Sequence, residues 1–95
     1  MHPCVYILAN DNTTTLYIGV TSDIERRVAQ HRCGERNAFT YRYGLRKLVY
    51  VECYATMTAA ISREKQLKGL SRKRKEELIR SANPMWRDLM LDESI

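Results

Sequence analysis

The sequence lacks any long apolar run, and that absence argues against a membrane-spanning protein. No stretch of its 95 residues approaches the roughly 20 consecutive apolar residues needed to cross a bilayer. The opening "MHPCVYILAN" also lacks the basic flank and long apolar segment of a secretory signal. We therefore expect a protein that has no membrane partner and is located in the cytoplasm.

Cysteine is scarce as well. The chain has three cysteines, Cys4, Cys33 and Cys53, and no two of them form a CxxC pair. An odd number of widely separated cysteines is more typical of reduced thiols than of a disulfide framework or a zinc site. We expect these residues to serve packing or to lie at the surface.

No internal repeat, low-complexity tract or evident linker divides the chain. The sequence therefore predicts a single domain over residues 1–95, with a core at about 3–83 and a tail at 84–95. A composition of 44% apolar and 28% charged residues argues against disorder. A domain of this size buries only about 60–65% of the surface that its unfolded chain exposes, so its core is small.

Acidic residues are outnumbered by basic ones, 11 to 16, and the net charge is +5. Such an excess favours polyanionic partners, nucleic acid among them. Its distribution is uneven, because residues 63–75 contain seven lysines and arginines and only one acidic residue. Charge alone leaves a basic protein–protein adaptor open, although nothing else in the sequence indicates a stable protein partner.

Hydrophobic patterning predicts the order ββαβαα. Strands are expected over 4–9, 15–20 and 47–54, and helices over 21–32, 56–69 and about 71–82. Ser22 and Glu25 have the spacing of a capping box at the start of the first helix. The expected fold is of the α/β (α+β) class, with a small three-stranded antiparallel sheet flanked by helices.

One carboxylate falls on the apolar side of the second predicted helix. Glu64 lies among Ala60, Ile61 and Leu67 in the stripe that should face the sheet. Burying a carboxylate costs several kcal/mol unless it is paired. Either a salt bridge or a rotated stripe explains it, or the carboxylate points into a cleft to hold a hard cation.

The segment "LYIGVTSDIERRVAQH" contains two pairs of residues, and the members of each pair lie on the same face of a predicted element. Arg27 and His31 are four residues apart on one side of the first helix. Alternation in the second strand puts Tyr17 and Gly19 on one face, which Tyr6 shares if the hairpin register allows. Each feature also has an ordinary explanation: a solvated basic face, half-buried strand tyrosines and a turn glycine.

Cations and aromatic rings alternate in the loop at 33–44 and just after it. Cations suit phosphates and rings stack on bases, although aromatic residues also tie long loops to a core. The candidate nucleic-acid-binding residues of this loop and of the basic helices are Arg36, Tyr41, Arg42, Arg46, Lys65, Lys68, Arg72 and Lys73.

The ordered set of motifs resembles the GIY-YIG nuclease superfamily, and most closely its small stand-alone bacterial members. "CVY" is followed eleven residues later by "YIG", then by "ERRVAQH", the glutamate of "REKQLKG" and the asparagine of "NP". The resemblance implies a three-stranded antiparallel sheet flanked by helices, with Tyr6 and Tyr17 as the motif tyrosines and Gly19 closing the second motif. Cys4 departs from the pattern, since it replaces the glycine of the first motif.

The resemblance also implies divalent-metal-dependent cleavage of phosphodiester bonds, usually in DNA. Arg27 matches the arginine that faces the scissile phosphate, and His31 matches the polar residue one turn later. Glu64 matches the single carboxylate that holds one divalent cation, Mg²⁺ or Mn²⁺. Asn83 matches a late asparagine of several members, but a helix-stopping Asn-Pro explains it equally well.

The sequence therefore predicts a metal-dependent endonuclease acting on nucleic acid, DNA rather than RNA. A tyrosine, Tyr6 or Tyr17, would act as the base, with His31 as a relay; the sequence does not choose between the two tyrosines. The alternative is a non-catalytic DNA- or RNA-binding module on the same scaffold.

Overall fold

The structure, a computed structural model, describes residues 2–33 and 42–92, and for 31–33 and 91–92 the backbone only. Within these ranges the elements in chain order are β1 (Cys4–Ala9), β2 (Leu16–Thr21), α1 (Ile24–Cys33), β3 (Lys47–Cys53), α2 (Met57–Lys68), α3 (Arg72–Ala82) and the one-turn α4 (Leu89–Asp92). The predicted order ββαβαα is confirmed, and α4 is added in the tail. No helix in the described part of the chain is long and apolar enough to span a membrane.

The three strands form one antiparallel sheet in the order β2-β1-β3. In the centre of the sheet Tyr6 lies opposite Gly19 of β2 and Val51 of β3. All six residues of β1 are buried. A central strand that is apolar throughout is what a sheet covered on both faces requires, and the predicted α+β class is confirmed.

Helices cover the two faces of the sheet and make two small cores. On one face α2 and α3 close a cluster that includes Val5, Ile7, Ile18, Ala60, Leu67 and Ile79. On the other face α1 and the segments around β3 close a cluster of Tyr6, Leu8, Val28, Leu45 and Leu48. The alternation of β2 therefore separates Ile18 from Tyr17, as the period of two predicts.

The start of α1 differs from the sequence prediction by one residue. The carboxylate of Asp23 accepts a hydrogen bond from the backbone N–H of Arg26 at 3.2 Å, and the hydroxyl of Thr21 accepts one from the N–H of Asp23 at 3.1 Å. The predicted capping box of Ser22 and Glu25 is therefore wrong. Asp23 directly precedes the first helical residue, which puts its side chain within reach of the free N–H groups of the first turn.

Two of the cysteines also differ from expectation. Cys4 and Cys53 lie directly opposite each other on β1 and β3, with their Cα atoms 4.1 Å apart and their sulfur atoms bonded. The expectation of reduced thiols is wrong for this pair, because a sequence separation of 49 residues gives no sign of the register that brings them together. The side chain of Cys33 lies outside the described residues.

Candidate active site

The ring of Tyr6 passes over Gly19. A Cβ atom at position 19 would lie 2.5 Å from the phenol oxygen of Tyr6 and 2.6 Å from its Cζ. Real Cβ atoms do not approach that closely, so a side chain at this position would displace the ring. Gly19 lies inside β2 rather than in a turn, and its function is to leave room for the tyrosine of the neighbouring strand.

Tyr17 lies on the same face of the sheet, two residues before Gly19. The ring centroids of Tyr6 and Tyr17 are 6.3 Å apart and the ring planes are tilted by 42°. The expectation that the two tyrosines share a face is thereby confirmed. They differ in access to solvent, because Tyr6 is 1% exposed whereas Tyr17 is half-buried.

Side chains from three other elements, those of Tyr17, Arg27 and Glu64, act on the Tyr6 hydroxyl. Burial raises the pKa of Tyr6 well above its ordinary value of 10.0, and Tyr17 and Glu64 raise it further, while Arg27 opposes them. A hydrogen bond with Tyr17 adds to the increase. The phenol of Tyr6 therefore keeps its proton at neutral pH, in a group formed by β1, β2, α1 and α2.

Arg27 belongs to the helix that follows the "YIG" strand. Its half-buried side chain stands next to Val28, which anchors α1 in the core. Beside it an open polar pocket of about 190 Å³ is lined by Thr21, Ser22, Asp23, Arg26, Arg27 and Gln30. The backbone of His31 lies one turn further along α1, and its side chain lies outside the described residues.

Glu64 reaches this group from α2. Its side chain is 17% exposed and lies 3.4 Å from the ammonium group of Lys68, one turn further along the helix. Ala60 and Leu67 are buried as expected, whereas Ile61 is 38% exposed, so its place in the predicted stripe is wrong. The helix contacts the sheet through a narrow apolar edge, which leaves Glu64 beside that edge with only one lysine as its ion-pair partner among the described residues.

This carboxylate fits a hydrated hard cation. Among the described side chains, no group of three or more His, Cys, Asp or Glu is placed to hold a metal ion. A zinc centre would need such a group, whereas Mg²⁺ keeps several waters and binds through one or two carboxylates. Glu64, partly accessible and near enough to the protonated phenol of Tyr6 to act on it electrostatically, is suited to that second kind of site. The cation itself stays a prediction.

Asn83 is buried and bonded to the scaffold. Its side-chain amide donates to the backbone carbonyls of Val49 at 3.0 Å and Arg87 at 2.9 Å, and its Oδ1 accepts from the N–H of Arg87 at 3.0 Å. These bonds hold the segment after α3 against β3. Its described contacts therefore lie with the sheet and the tail, and support of the site by Asn83 stays a prediction.

The candidate nucleic-acid contacts are distributed unevenly. Two of them lie outside the described residues: Arg36 and Tyr41. Four others are exposed: Arg42, Arg46, Lys65 and Lys73. Lys68 pairs with Glu64, and the guanidinium group of Arg42 lies 5.9 Å from the ring centroid of Tyr43. The exposed cations stay candidates for phosphate contacts.

Arg72 has a clear structural role. Its Nε lies 2.7 Å from a carboxylate oxygen of Glu76, and its Nη1 donates to the backbone carbonyl of Thr14 at 3.2 Å. Its Nη2 donates to the carbonyl of Thr13. Arg72 thus ties the start of α3 to the turn between β1 and β2.

The sequence analysis missed one polar network on the α2 side of the sheet. Glu52 accepts hydrogen bonds from the hydroxyl groups of Tyr50 and Tyr54 and from the Nε and Nη2 of Arg63, the last two at 2.9 and 3.1 Å. Partial burial by itself would raise the pKa of Glu52, but the hydrogen bonds from Arg63 and the tyrosines outweigh it and lower the pKa to about 2. A glutamate flanked by tyrosines in "YVECY" is the one sequence signal that could have indicated it.

The fold and the site together define a small nuclease-type domain, with two strand tyrosines, a helix arginine and a helix glutamate. Residues 2–77 match the model of the GIY-YIG catalytic domain. The chain belongs to the GIY-YIG family, whose domains act on nucleic acid and are generally endonucleases.

The chain is also similar to UPF0213 proteins from archaea and bacteria. A UPF0213 protein of Haloquadratum walsbyi is 40% identical over 74 residues, which cover 78% of this chain and 82% of the relative. A UPF0213 protein of Natronomonas pharaonis is 41% identical over 75 residues, 79% of this chain and 87% of the relative. The solution NMR structure of the UPF0213 protein BH0048 from Bacillus halodurans is similar to this chain with a TM-score of 0.59 and 29% identity over 94% of both chains.

Proposed function

We propose that the protein is a divalent-metal-dependent endonuclease that hydrolyses phosphodiester bonds in nucleic acid, DNA in preference to RNA. The observation that carries the proposal is the passage of the Tyr6 ring over Gly19, which places the phenol beside Tyr17 and within electrostatic reach of Arg27 and Glu64. A buried phenol on which a cation and a carboxylate act from two different helices is an arrangement suited to an active site.

Phosphodiester hydrolysis needs charge neutralisation at the phosphate and a place for the leaving oxygen. Arg27 donates two parallel hydrogen bonds to the non-bridging oxygens, which a guanidinium group does better than an ammonium group. Arg26, which lines the same polar pocket, adds positive charge for the adjacent phosphate. Glu64 would hold Mg²⁺ or Mn²⁺, and the bound ion supplies polarisation of the phosphate and stabilisation of the leaving oxygen.

The two tyrosines have different parts in the proton transfers. Tyr6 keeps its proton, because burial and the neighbouring groups raise its pKa, and it donates a hydrogen bond within the site. We assign removal of the proton from the attacking water to the phenolate of Tyr17, the more accessible of the two tyrosines, which first releases its own proton to solvent. The relay through His31 stays a prediction.

The decisive experiment measures cleavage of single-stranded, duplex and branched DNA and of RNA, with and without Mg²⁺ or Mn²⁺. We expect metal-dependent cutting of DNA, most of it structure-selective, because a domain this small has little surface for reading sequence. Glu64→Ala and Arg27→Ala should each abolish cleavage while the fold is retained. Glu77→Ala, which removes an exposed carboxylate on α3, is the matched control and should cut normally.

Substitution separates the tyrosines. Tyr17→Phe should abolish cleavage, because it removes the group assigned to accept the proton of the attacking water, whereas Tyr6→Phe should lower the rate without abolishing it. A non-catalytic binding module would instead show affinity with a steep salt dependence, no cleavage in any metal and no effect of Glu64→Ala. That combination would refute the proposal.

A further inference from the structure

The helix that carries Glu64 is held to the sheet by few apolar contacts. Of the twelve residues of α2, only Ala60 and Leu67 are buried. Met57 and Ile61, one turn apart on the same face of the helix, are 37% and 38% exposed. Such a narrow apolar edge holds the helix against the sheet but resists rotation about its own axis poorly.

A polar clamp beside this apolar edge, between α2 and β3, supplies what the edge lacks. All three nitrogens of the Arg63 guanidinium group are bound: Nε and Nη2 to the two oxygens of Glu52, and Nη1 to the side chain of Gln66 at 3.2 Å. The carboxylate of Glu52 is held in turn by the hydroxyl groups of Tyr50 and Tyr54. A two-point contact between planar groups fixes an orientation as well as a distance.

Arg63 and Glu64 are neighbours on the helix and point about 100° apart around its axis. Arg63 is fixed to β3, whereas Glu64 acts electrostatically on Tyr6, whose phenol oxygen lies over Gly19 of β2 at the opposite edge of the sheet. A rotation of α2 would therefore move both side chains together. Whatever holds the guanidinium group to β3 also holds the carboxylate at the site.

We propose that Arg63 and Glu52 are positioning residues for the metal ligand: their bidentate ion pair sets the rotation of α2 and thereby places the Glu64 carboxylate. The inference rests on the proposed function, in which Glu64 holds the divalent cation. It adds to that function a pair of residues that touch neither substrate nor cation.

An electrostatic role and a positioning role of Arg63 predict opposite changes in the affinity for the cation. Arg63→Gln removes a positive charge next to a cation site, so a purely electrostatic role would tighten cation binding. A positioning role instead weakens it, and loss of such supporting contacts typically lowers metal affinity by about 10–100-fold. Arg63→Lys keeps the charge and loses the planar fork, so it should weaken binding by a smaller factor.

The test titrates the full chain with Mn²⁺ and follows the paramagnetic broadening of backbone amide signals near Glu64. We expect the midpoint to rise at least about 10-fold in Arg63→Gln and less in Arg63→Lys. Arg80→Gln should leave it unchanged; it removes a matched arginine whose Nη2 lies 3.3 Å from Glu76 on α3. Thermal unfolding of each variant shows that it is folded at the titration temperature, and Arg63→Lys carries the test if Arg63→Gln is not.

The outcomes of the titration distinguish the positioning role of Arg63 from the assignment of Glu64 as the metal ligand. A midpoint that is unchanged or lower in the Arg63 variants would overturn the positioning role, provided that Glu64→Ala abolishes the broadening. Broadening that persists in Glu64→Ala would instead overturn the assignment of the metal ligand, and the proposed function with it. A rise in both Arg63 variants with full sensitivity to Glu64→Ala supports both.

Discussion

Gly19→Ala tests the central geometric feature of the site. The added methyl group would lie 2.5 Å from the hydroxyl oxygen of Tyr6, 2.6 Å from its Cζ and 3.0 Å from its Cε1. Carbon atoms in a packed core approach to about 3.5–4.0 Å, so the ring must move by roughly 1 Å. Tyr6 is 1% exposed and belongs to the same buried cluster as Leu8 and Val28, so the ring has to move against packed neighbours.

The expected cost follows from this lack of space. Insertion of a methyl group into a packed core destabilises a protein by about 1–3 kcal/mol. In a domain of this size that corresponds to a decrease in Tm of roughly 5–20 °C. Because the displaced ring carries the phenol away from Tyr17 and Glu64, cleavage should fall at least as far as in Tyr6→Phe. Chemical denaturation and the cleavage assay measure the two effects separately.

Two further variants identify the cause. Gly69→Ala is the control, because its Cβ would meet only backbone oxygens at 3.5 and 3.7 Å, and it should change stability by less than about 0.5 kcal/mol. In a Tyr6→Leu background the penalty of Gly19→Ala should shrink, since the atoms that clash are gone. A Gly19→Ala protein as stable as the parent, or an equal penalty in both backgrounds, would show that the close approach is not what requires glycine.

The remaining predictions concern stability. The Cys4–Cys53 bond closes a loop of 49 residues, so reduction, or Cys4→Ser, should lower the free energy of unfolding by about 2–4 kcal/mol; identical denaturation midpoints with and without reductant would contradict this. The pKa of Glu52 is about 2 in the folded protein, below the ordinary 4.5. Its contribution, on the order of 2–3 kcal/mol, should therefore be complete above about pH 5 and be lost as the pH falls from about 4.5 to 2. Glu52→Gln should flatten that part of the stability curve, and an unchanged slope between pH 5 and 3 would count against the clamp.

Local sequence patterns were enough to predict the elements. β-Branched and aromatic runs gave the three strands, and apolar spacing gave α1, α2 and α3, because both signals act over neighbouring residues. The same signals were least reliable for the details of each helix. Asp23 rather than Ser22 caps α1. Ile61 is partly exposed, although its spacing predicted that it would face the sheet together with Ala60.

The family was also recognisable from sequence, because its motif residues stand in a fixed order along the chain. The structural reason for the glycine at position 19 was not recognisable from the sequence. A glycine after a tyrosine in a strand is equally a turn residue or an open approach, and only the pairing of Tyr6 with Gly19 shows that the glycine accommodates a ring from the next strand.

The sequence by itself determined the order of the elements, the excess of positive charge and the identity of the motif residues, since all three are local or additive properties of the chain. Tertiary structure decided which distant residues meet. It paired Cys4 with Cys53 across two strands, bound Arg63 to Glu52, and brought Glu64 within electrostatic reach of Tyr6. Strand register and helix rotation set these contacts, and both depend on how the whole small core packs rather than on any one segment.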